Sequence, residues 1–195
     1  TLGFPATSSV EEFEVQGKYL YALSSGFTSD FSIFDISSPS NFQLISTTSV
    51  GSPTAIKLSG KYAYITSGVN MLTYDISTPS SPQLITSYSL APSSIGSLFV
   101  SGKYLFGIDA DGTTIYDFDI SDPANPIIVQ TSLGQLGSGS LGQIHAKQVV
   151  GSGKYIFVSL PDENQVKVID TNYSPVLAFN DGTISVTNPV SLDIE

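Results

Sequence analysis

Two acidic segments contain the residues of this chain that are best suited to binding a cation. The first is Asp109-Ala110-Asp111-Gly112, which has the composition of the start of a calcium-binding loop, and the second is the pair Asp162 and Glu163. Calcium takes about six to eight oxygen ligands, and carboxylates are common among them. We interpret Asp109, Asp111, Asp162 and Glu163 as a candidate structural calcium site. The alternative is a pair of tight turns, because the complete spacing of a calcium-binding loop is absent.

The residue types that many catalytic centres require are scarce. His145 is the only histidine, and the chain has no cysteine. Catalytic triads and clusters of histidine or cysteine ligands are excluded by count or lack a recognisable spacing. We interpret His145 as a hydrogen-bonded structural residue, with a general base or a ligand as the alternative. The sequence therefore predicts a non-catalytic protein with no cofactor apart from the candidate calcium, although a carboxylate site without histidine stays open.

The elements that would position these residues come from an internal repeat. The tripeptide Gly-Lys-Tyr begins at Gly17, Gly60, Gly102 and Gly153, with spacings of 43, 42 and 51 residues. A second motif, Asp-Ile-Ser-x-Pro, begins at Asp35, Asp75 and Asp119. A period of about 40–50 residues that is rich in strand signals is typical of β-propellers.

Each repeat contains four short segments with strand-like patterns, separated by clusters of Gly, Pro and small polar residues. We predict an all-β chain that forms a β-propeller of four-stranded antiparallel blades, as a single domain over residues 1–195. The blades are expected at about residues 9–50, 51–91, 92–133 and 143–185. Residues 186–195 are expected to form an extra terminal strand.

The two motifs occupy turns on one face of the predicted propeller, because successive strands run antiparallel. Gly permits unusual φ angles, Asp and Ser cap their own backbone, and Pro presets the turn, so we interpret these turns and their lysines as structural. The connections on the other face differ between repeats, and they include both acidic segments and the long stretch Leu133–Gly142. Varied loops on a rigid scaffold often carry function, so we expect a binding site there. We interpret most tyrosines as packing between blades, with a glycan-binding surface as the alternative.

The pattern closely resembles the LVIVD-repeat family of β-propellers. The segment from Phe31 to Pro39 (FSIFDISSP) matches the third strand and following turn of that repeat, and Gly60 to Ile65 (GKYAYI) matches the entry to its second strand. The resemblance extends over about residues 30–180, and the fourth repeat departs from it where DTNYSP, beginning at Asp170, replaces Asp-Ile-Ser-x-Pro. The resemblance implies a propeller, often on bacterial or archaeal surface proteins, and it implies no single activity.

Composition excludes several classes of partner. The net charge is −10, and all seven basic residues are lysines. A nucleic-acid-binding protein needs a basic face to neutralise phosphates, so we expect no nucleic-acid partner. No apolar run reaches the roughly 18 residues that span a bilayer, so we expect no membrane insertion. Since Met71 is the only methionine and the chain begins at Thr1, we expect a processed mature protein or an excerpt of a longer one.

The end of the chain repeats the start of a blade. Residues 188–195 align with residues 52–59, but no Gly-Lys-Tyr follows them. Val190, Leu192 and Ile194 would form the apolar side of an unpaired strand, which is prone to pair with another chain. Three explanations stay open: an excerpt of a longer propeller, a strand that completes another subunit, and a strand that folds back within its own chain.

We expect a non-catalytic β-propeller that acts as a structural or interaction protein in an extracellular or cell-surface setting. Its partners would be other protein subunits, in the first place copies of itself, and surface glycans are a further expectation. Asn172-Tyr173-Ser174 is a sequon for N-glycosylation, which would require such a setting. The alternatives are a carbohydrate- or protein-binding module of a larger surface protein, and a metal-dependent propeller hydrolase or lactonase.

Overall fold

The strands of this chain form four antiparallel sheets of four strands each. The computed structural model describes residues 8–26, 29–38, 40–111, 114–133, 147–152, 155–170 and 182–185. The chain divides into two compact units, Thr1–Ser94 and Ile95–Glu195, and each contains two of the sheets. In the described part of the chain, no helix is both long and apolar enough to cross a membrane. The prediction of one propeller domain over the whole length stays a prediction.

The first unit contains blades 1 and 2, in which neighbouring strands in sequence are neighbours in the sheet. Blade 1 consists of β1 (Ser8–Gln16), β2 (Tyr19–Gly26), β3 (Asp30–Asp35) and β4 (Gln43–Ser49). Blade 2 consists of β5 (Pro53–Ser59), β6 (Tyr62–Ser67), β7 (Asn70–Asp75) and β8 (Gln83–Ser89).

The second unit contains blades 3 and 4, which have the same strand order. Blade 3 consists of β9 (Ile95–Ser101), β10 (Tyr104–Asp109), β11 (Thr114–Asp119) and β12 (Ile127–Leu133). Blade 4 consists of β13 (Gln148–Ser152), β14 (Tyr155–Leu160), β15 (Gln165–Asp170) and β16 (Gly182–Ser185), and a 3₁₀ turn, Pro161–Glu163, connects β14 to β15. The predicted four-stranded antiparallel blades are thus confirmed.

Apolar side chains on the facing surfaces of two blades form the core of each unit. In the first unit, Tyr21, Phe31 and Ile33 of blade 1 are buried against Ile65 and Tyr74 of blade 2. The rings of Phe31 and Tyr74 lie 5.7 Å apart between centroids. The second strand of a blade is buried on both sides, because its alternate residues face different layers. The interpretation of these tyrosines as packing residues is therefore confirmed for Tyr21 and Tyr74.

The second unit repeats this arrangement with smaller side chains. Phe106, Ile108 and Ile115 of blade 3 are buried in one cluster with Val158 and Ile169 of blade 4. At the position of Tyr74, blade 4 has Ile169, so an aliphatic contact replaces the aromatic pair of the first unit.

Candidate functional site

In blades 1, 2 and 3 the two repeated turns are joined by a lysine–aspartate pair, which we call the clasp. The clasps of blades 1, 2 and 3 are Lys18–Asp35, Lys61–Asp75 and Lys103–Asp119, with Nζ to Oδ2 distances of 2.9, 3.2 and 2.8 Å. In all three blades the amide that follows the aspartate donates to the lysine carbonyl oxygen over 2.8 Å. The prediction that both turns lie on one face is therefore confirmed.

Hydrogen bonds within the clasp keep its aspartate ionised. Asp35 Oδ1 accepts the amide of Ser37 over 2.9 Å, and the same bond recurs at Asp75 and Asp119. Hydrogen bonds from Ser37 and Lys18 lower the pKa of Asp35 to about 2, and bonds from Lys103 and Ser121 lower the pKa of Asp119 to about 2. The bond from the serine amide to the aspartate is a capping contact that is common at turns, and the lysine pair joins that turn to the Gly-Lys-Tyr turn.

The lysine of each clasp also lies over the ring of the tyrosine that follows it. The distances from Nζ to the ring centroid are 5.0, 5.2 and 4.8 Å in blades 1, 2 and 3. A cation within about 6 Å of a ring centroid is attracted to the face of the ring. The ammonium is therefore held at a defined place although its side chain is exposed.

A groove of about 560 Å³ lies between blades 1 and 2 on this turn face. From blade 1 it is lined by Gln16, Lys18, Tyr19 and Tyr21. From blade 2 it is lined by Lys61, Ile76, Ser77 and Pro79. The sequence favoured the face with varied loops, so this groove was missed. The sequence did contain a signal for the groove, because the lysine of the repeated Gly-Lys-Tyr turn lines it in both blades.

Tyr21 is the most deeply placed polar residue of the groove. Its side chain is 3% exposed, and its ring stacks on Phe31 with centroids 6.3 Å apart. Burial raises the pKa of the Tyr21 phenol above its ordinary value. No hydrogen bond joins the Tyr21 hydroxyl to another residue within the described part of the chain. At the groove rim, Gln16 Nε2 donates to the Gly60 carbonyl oxygen over 2.9 Å and ties the two blades together.

The first strands of blades 1 and 2 are joined by an ion-pair cluster. Lys57 of β5 contacts the carboxylates of Glu12 and Glu14 in β1, and its Nζ lies 3.2 Å from Glu12 Oε1. Glu12 Oε2 accepts the Ile56 amide over 2.7 Å. Burial raises the pKa of Glu12, against the opposing effect of Lys57. Burial lowers the pKa of Lys57, but the two carboxylates outweigh it, so the net shift is upward.

The candidate calcium ligands lie in two separate connections of the second unit. Asp109 is buried at the end of β10, and its Oδ1 accepts the Thr114 amide over 3.0 Å, whereas Asp111 and Asp162 are exposed. The Glu163 side chain lies outside what the structure describes. Among the side chains that are described, no group of three or more His, Cys, Asp or Glu residues could hold a metal ion. The calcium site stays a prediction.

Several other candidate residues lie outside the described ranges. They are His145, the sequon residue Asn172, and the terminal-strand residues Val190, Leu192 and Ile194. Their predicted roles stay predictions.

Comparison with known proteins identifies the repeat. The model of the LVIVD repeat matches residues 9–49, 50–89 and 94–133, which together make up more than half of the chain. The chain belongs to the LVIVD-repeat family. No curated protein sequence matches it.

Solved β-propellers share the fold of this LVIVD-repeat chain. A putative 6-phosphogluconolactonase from Bacteroides fragilis matches with a TM-score of 0.76 and 19% identity, over 94% of this chain and 56% of its own. A periplasmic gluconolactonase from Pseudomonas aeruginosa matches with a TM-score of 0.69 and 15% identity, over 93% and 55%. The β-propeller domain of Cps50 (Swd1) from Myceliophteria thermophila matches with a TM-score of 0.60 and 16% identity, over 80% and 54%. The chain thus spans a little over half the length of these proteins, and at such identities the likeness shows the fold alone.

In the described part of the chain, blade 1 has an exposed apolar surface. Phe13 of β1 pairs with Ala22, the third residue after the tyrosine of the Gly-Lys-Tyr motif. The residues that pair with the same motif position in blades 2, 3 and 4 are Ile56, Leu98 and Val149. Those three side chains are 0%, 1% and 2% exposed, whereas Phe13 is 59% exposed. Val10 and Val15 are also exposed and lie on the same side of β1. We call Val10, Phe13 and Val15 the open face of blade 1.

Asp117 is another residue that the sequence analysis missed. It pairs with Phe106, and the equivalent positions in blades 1 and 2 are the buried residues Ile33 and Thr73. Its Oδ1 is buried without a hydrogen-bond partner in the described structure, and burial, followed by the charge of Asp119, raises its pKa to about 6. Aligning the repeats would have found it, because a carboxylate occupies a position that is apolar or uncharged elsewhere.

Proposed function

We propose that this chain is a non-catalytic interaction module that associates with copies of itself through the open face of blade 1. The observation that supports this is the exposure of Phe13, a position that is covered in the other three blades. An exposed apolar cluster on a water-soluble surface commonly marks a protein interface. The proposal keeps the extracellular or cell-surface setting that the low share of charged residues, 12%, and the family resemblance suggest.

The surface that would cover the open face is the opposite side of another blade. In blade 1 that side carries Tyr21 and Ile33, which are buried under blade 2. In blade 4 the equivalent residues are Phe157 and Val168, and both are only half-buried. One copy can therefore present Phe157 to the Phe13 of the next copy. Such a head-to-tail contact gives rings if the rotation closes and filaments if it does not.

Light scattering over a range of concentrations tests this association. We expect the wild-type chain to have a mass above the 20.6 kDa of one copy, and Phe13→Glu to have the mass of a monomer. Leu84→Glu is the matched control, because Leu84 is an apolar residue of β8 that is 52% exposed outside the open face. Far-ultraviolet circular dichroism would verify that both variants are folded.

Two results would contradict the proposal: a wild-type monomer at every concentration, or equal dissociation by Phe13→Glu and Leu84→Glu. Deletion of residues 190–195 separates this route from pairing through the predicted terminal strand. If the deletion abolishes association while Phe13→Glu does not, the terminal strand is the contact.

A hydrolase that acts on sugar lactones is the second candidate function, since two similar structures are described as lactonases. The contacts of three carboxylates favour a structural role: Asp109 accepts a backbone amide, and Glu12 and Glu14 contact Lys57. We expect no hydrolysis of glucono-δ-lactone above the spontaneous rate. A rate that is proportional to protein concentration would establish the enzyme instead.

A further inference from the structure

We propose that the groove between blades 1 and 2 binds a saccharide of one or two sugar rings. The volume of about 560 Å³ falls within the roughly 300–1,000 Å³ that small-molecule sites occupy. The groove belongs to one compact unit and does not involve the open face, so this inference is independent of self-association.

The lining combines apolar surface with hydrogen-bonding groups in the way that a sugar requires. Tyr21 and Ile76 are buried and supply an apolar base, and Pro79 and the Tyr19 ring add apolar surface. A sugar ring has C–H faces that such groups can cover. Its hydroxyls need separate partners around the edge, because a buried polar group without one is costly.

Those partners lie at the rim and at the base. Lys18 and Lys61 each have an aspartate partner at 2.9 and 3.2 Å and interact with the hydroxyl of the tyrosine that follows, and an ammonium has three N–H donors. Both ammonium groups are also fixed over tyrosine rings, so little side-chain freedom remains to be lost on binding. At the base, the Tyr21 hydroxyl has no partner in the described structure and can donate to or accept from a sugar hydroxyl.

Charge favours a neutral ligand over an anion. Each rim lysine is balanced by the aspartate of its own clasp, and the chain as a whole has a net charge of −10. A phosphate or sulfate would therefore gain little long-range attraction. A neutral polyol uses the same donors without requiring excess positive charge.

Two pairs of matched variants isolate the groove. Tyr21→Phe removes only the hydroxyl, and it should fold because blade 3 has the buried residue Phe106 at the equivalent position. Its control is Tyr64→Phe, which removes a hydroxyl from the equivalent buried tyrosine of blade 2 outside the groove. Lys61→Met removes a rim donor and one clasp, and Lys103→Met removes an equivalent clasp outside the groove.

The experiment is ligand-observed NMR on the full chain with the methyl glycosides of glucose, galactose, mannose and N-acetylglucosamine. We expect at least one glycoside to bind with a dissociation constant of about 1 mM or lower. Tyr21→Phe and Lys61→Met should each weaken that binding by about three- to tenfold, as the loss of one hydrogen bond does. Tyr64→Phe and Lys103→Met should leave it unchanged. The proposal fails if none of the glycosides binds, or if the groove variants and their controls behave alike.

Discussion

The Lys57 ammonium of blade 2 lies 3.2 Å from the Glu12 carboxylate of blade 1, so one lysine joins two blades through a half-buried ion pair. Glu14 contacts the same ammonium, and Glu12 also accepts the Ile56 amide. The cluster therefore combines electrostatic attraction with a backbone contact between the blades.

Lys57→Met should destabilise the first unit, because it leaves two neighbouring carboxylates without their cation. Breaking a fully buried pair costs about 3–5 kcal/mol, and partial exposure reduces this loss to about 1–2 kcal/mol here. Urea unfolding near neutral pH measures the change. The control is Lys18→Met, whose ion pair with Asp35 is exposed, and its unfolding midpoint should stay close to that of the wild type. Equal losses in the two variants would contradict a special role for Lys57.

Asp117→Asn should stabilise the chain near neutral pH. The Asp117 pKa of about 6 lies above the ordinary 3.8, so the native state prefers the protonated form. The contribution of protonated Asp117 to the free energy of unfolding is fully present below pH 3.8 and is lost as the pH rises through about 6. The shift corresponds to about 3 kcal/mol for a dry site, and solvent screening reduces the expected gain to about 1 kcal/mol. The sign of the stability change is tested by measuring the unfolding of variant and wild type below pH 3.8 and above about pH 6. A destabilised variant at neutral pH would show that the Asp117 carboxylate has a partner.

Acid should weaken the clasps. The pKa values of Asp35 and Asp119 are lowered from 3.8 to about 2, so their stabilising contribution is present above pH 3.8 and is lost as the pH falls through about 2. Thermal unfolding midpoints across this range should decline for the wild type. The double variant Asp35→Asn with Asp119→Asn should decline less over the same interval, since it lacks both titrating groups. Parallel declines would mean that other carboxylates dominate acid unfolding.

Gly151→Ala should destabilise the second unit. A Cβ atom there would come within 2.7 Å of Phe99 Cζ and 2.9 Å of the Tyr155 carbonyl oxygen. Forcing an extra methyl group into packed surroundings costs about 1–3 kcal/mol. Gly96→Ala is the control, since its Cβ would meet Ala110 Cα at an ordinary 3.5 Å. Chemical unfolding should separate the two variants, and equal stability would show that Phe99 moves aside at no cost.

Local signals in the sequence were sufficient to predict the blades. Turn residues such as Gly60 and Asp75 separate short apolar segments. Within each blade, strands that are adjacent in sequence pair with each other. The shared face of the two turns followed from antiparallel pairing alone. The chemistry of a repeated turn was harder to predict, because the Lys61–Asp75 pair depends on the register across β6 and β7.

Contacts between blades could not be predicted from one sequence. Lys57 and Glu12 are 45 residues apart, and only the approach of β1 to β5 brings them together. Phe13 follows the same strand pattern as Ile56, so its pattern indicates an apolar side but not whether another blade covers it. The groove has the same origin, because Tyr21 and Ser77 become neighbours only after two blades pack.

Each clasp closes within its own blade: Lys18 binds Asp35 and Lys103 binds Asp119, with no residue borrowed from a neighbour. If a gene segment that encodes one blade were duplicated, the copy would therefore contain both residues of the clasp. In the described chain, the Lys57 cluster occurs at one junction only, so a copied blade would not bring that cluster along. The clasp thus makes the repeat transferable, whereas the Lys57 cluster is specific to the junction of blades 1 and 2.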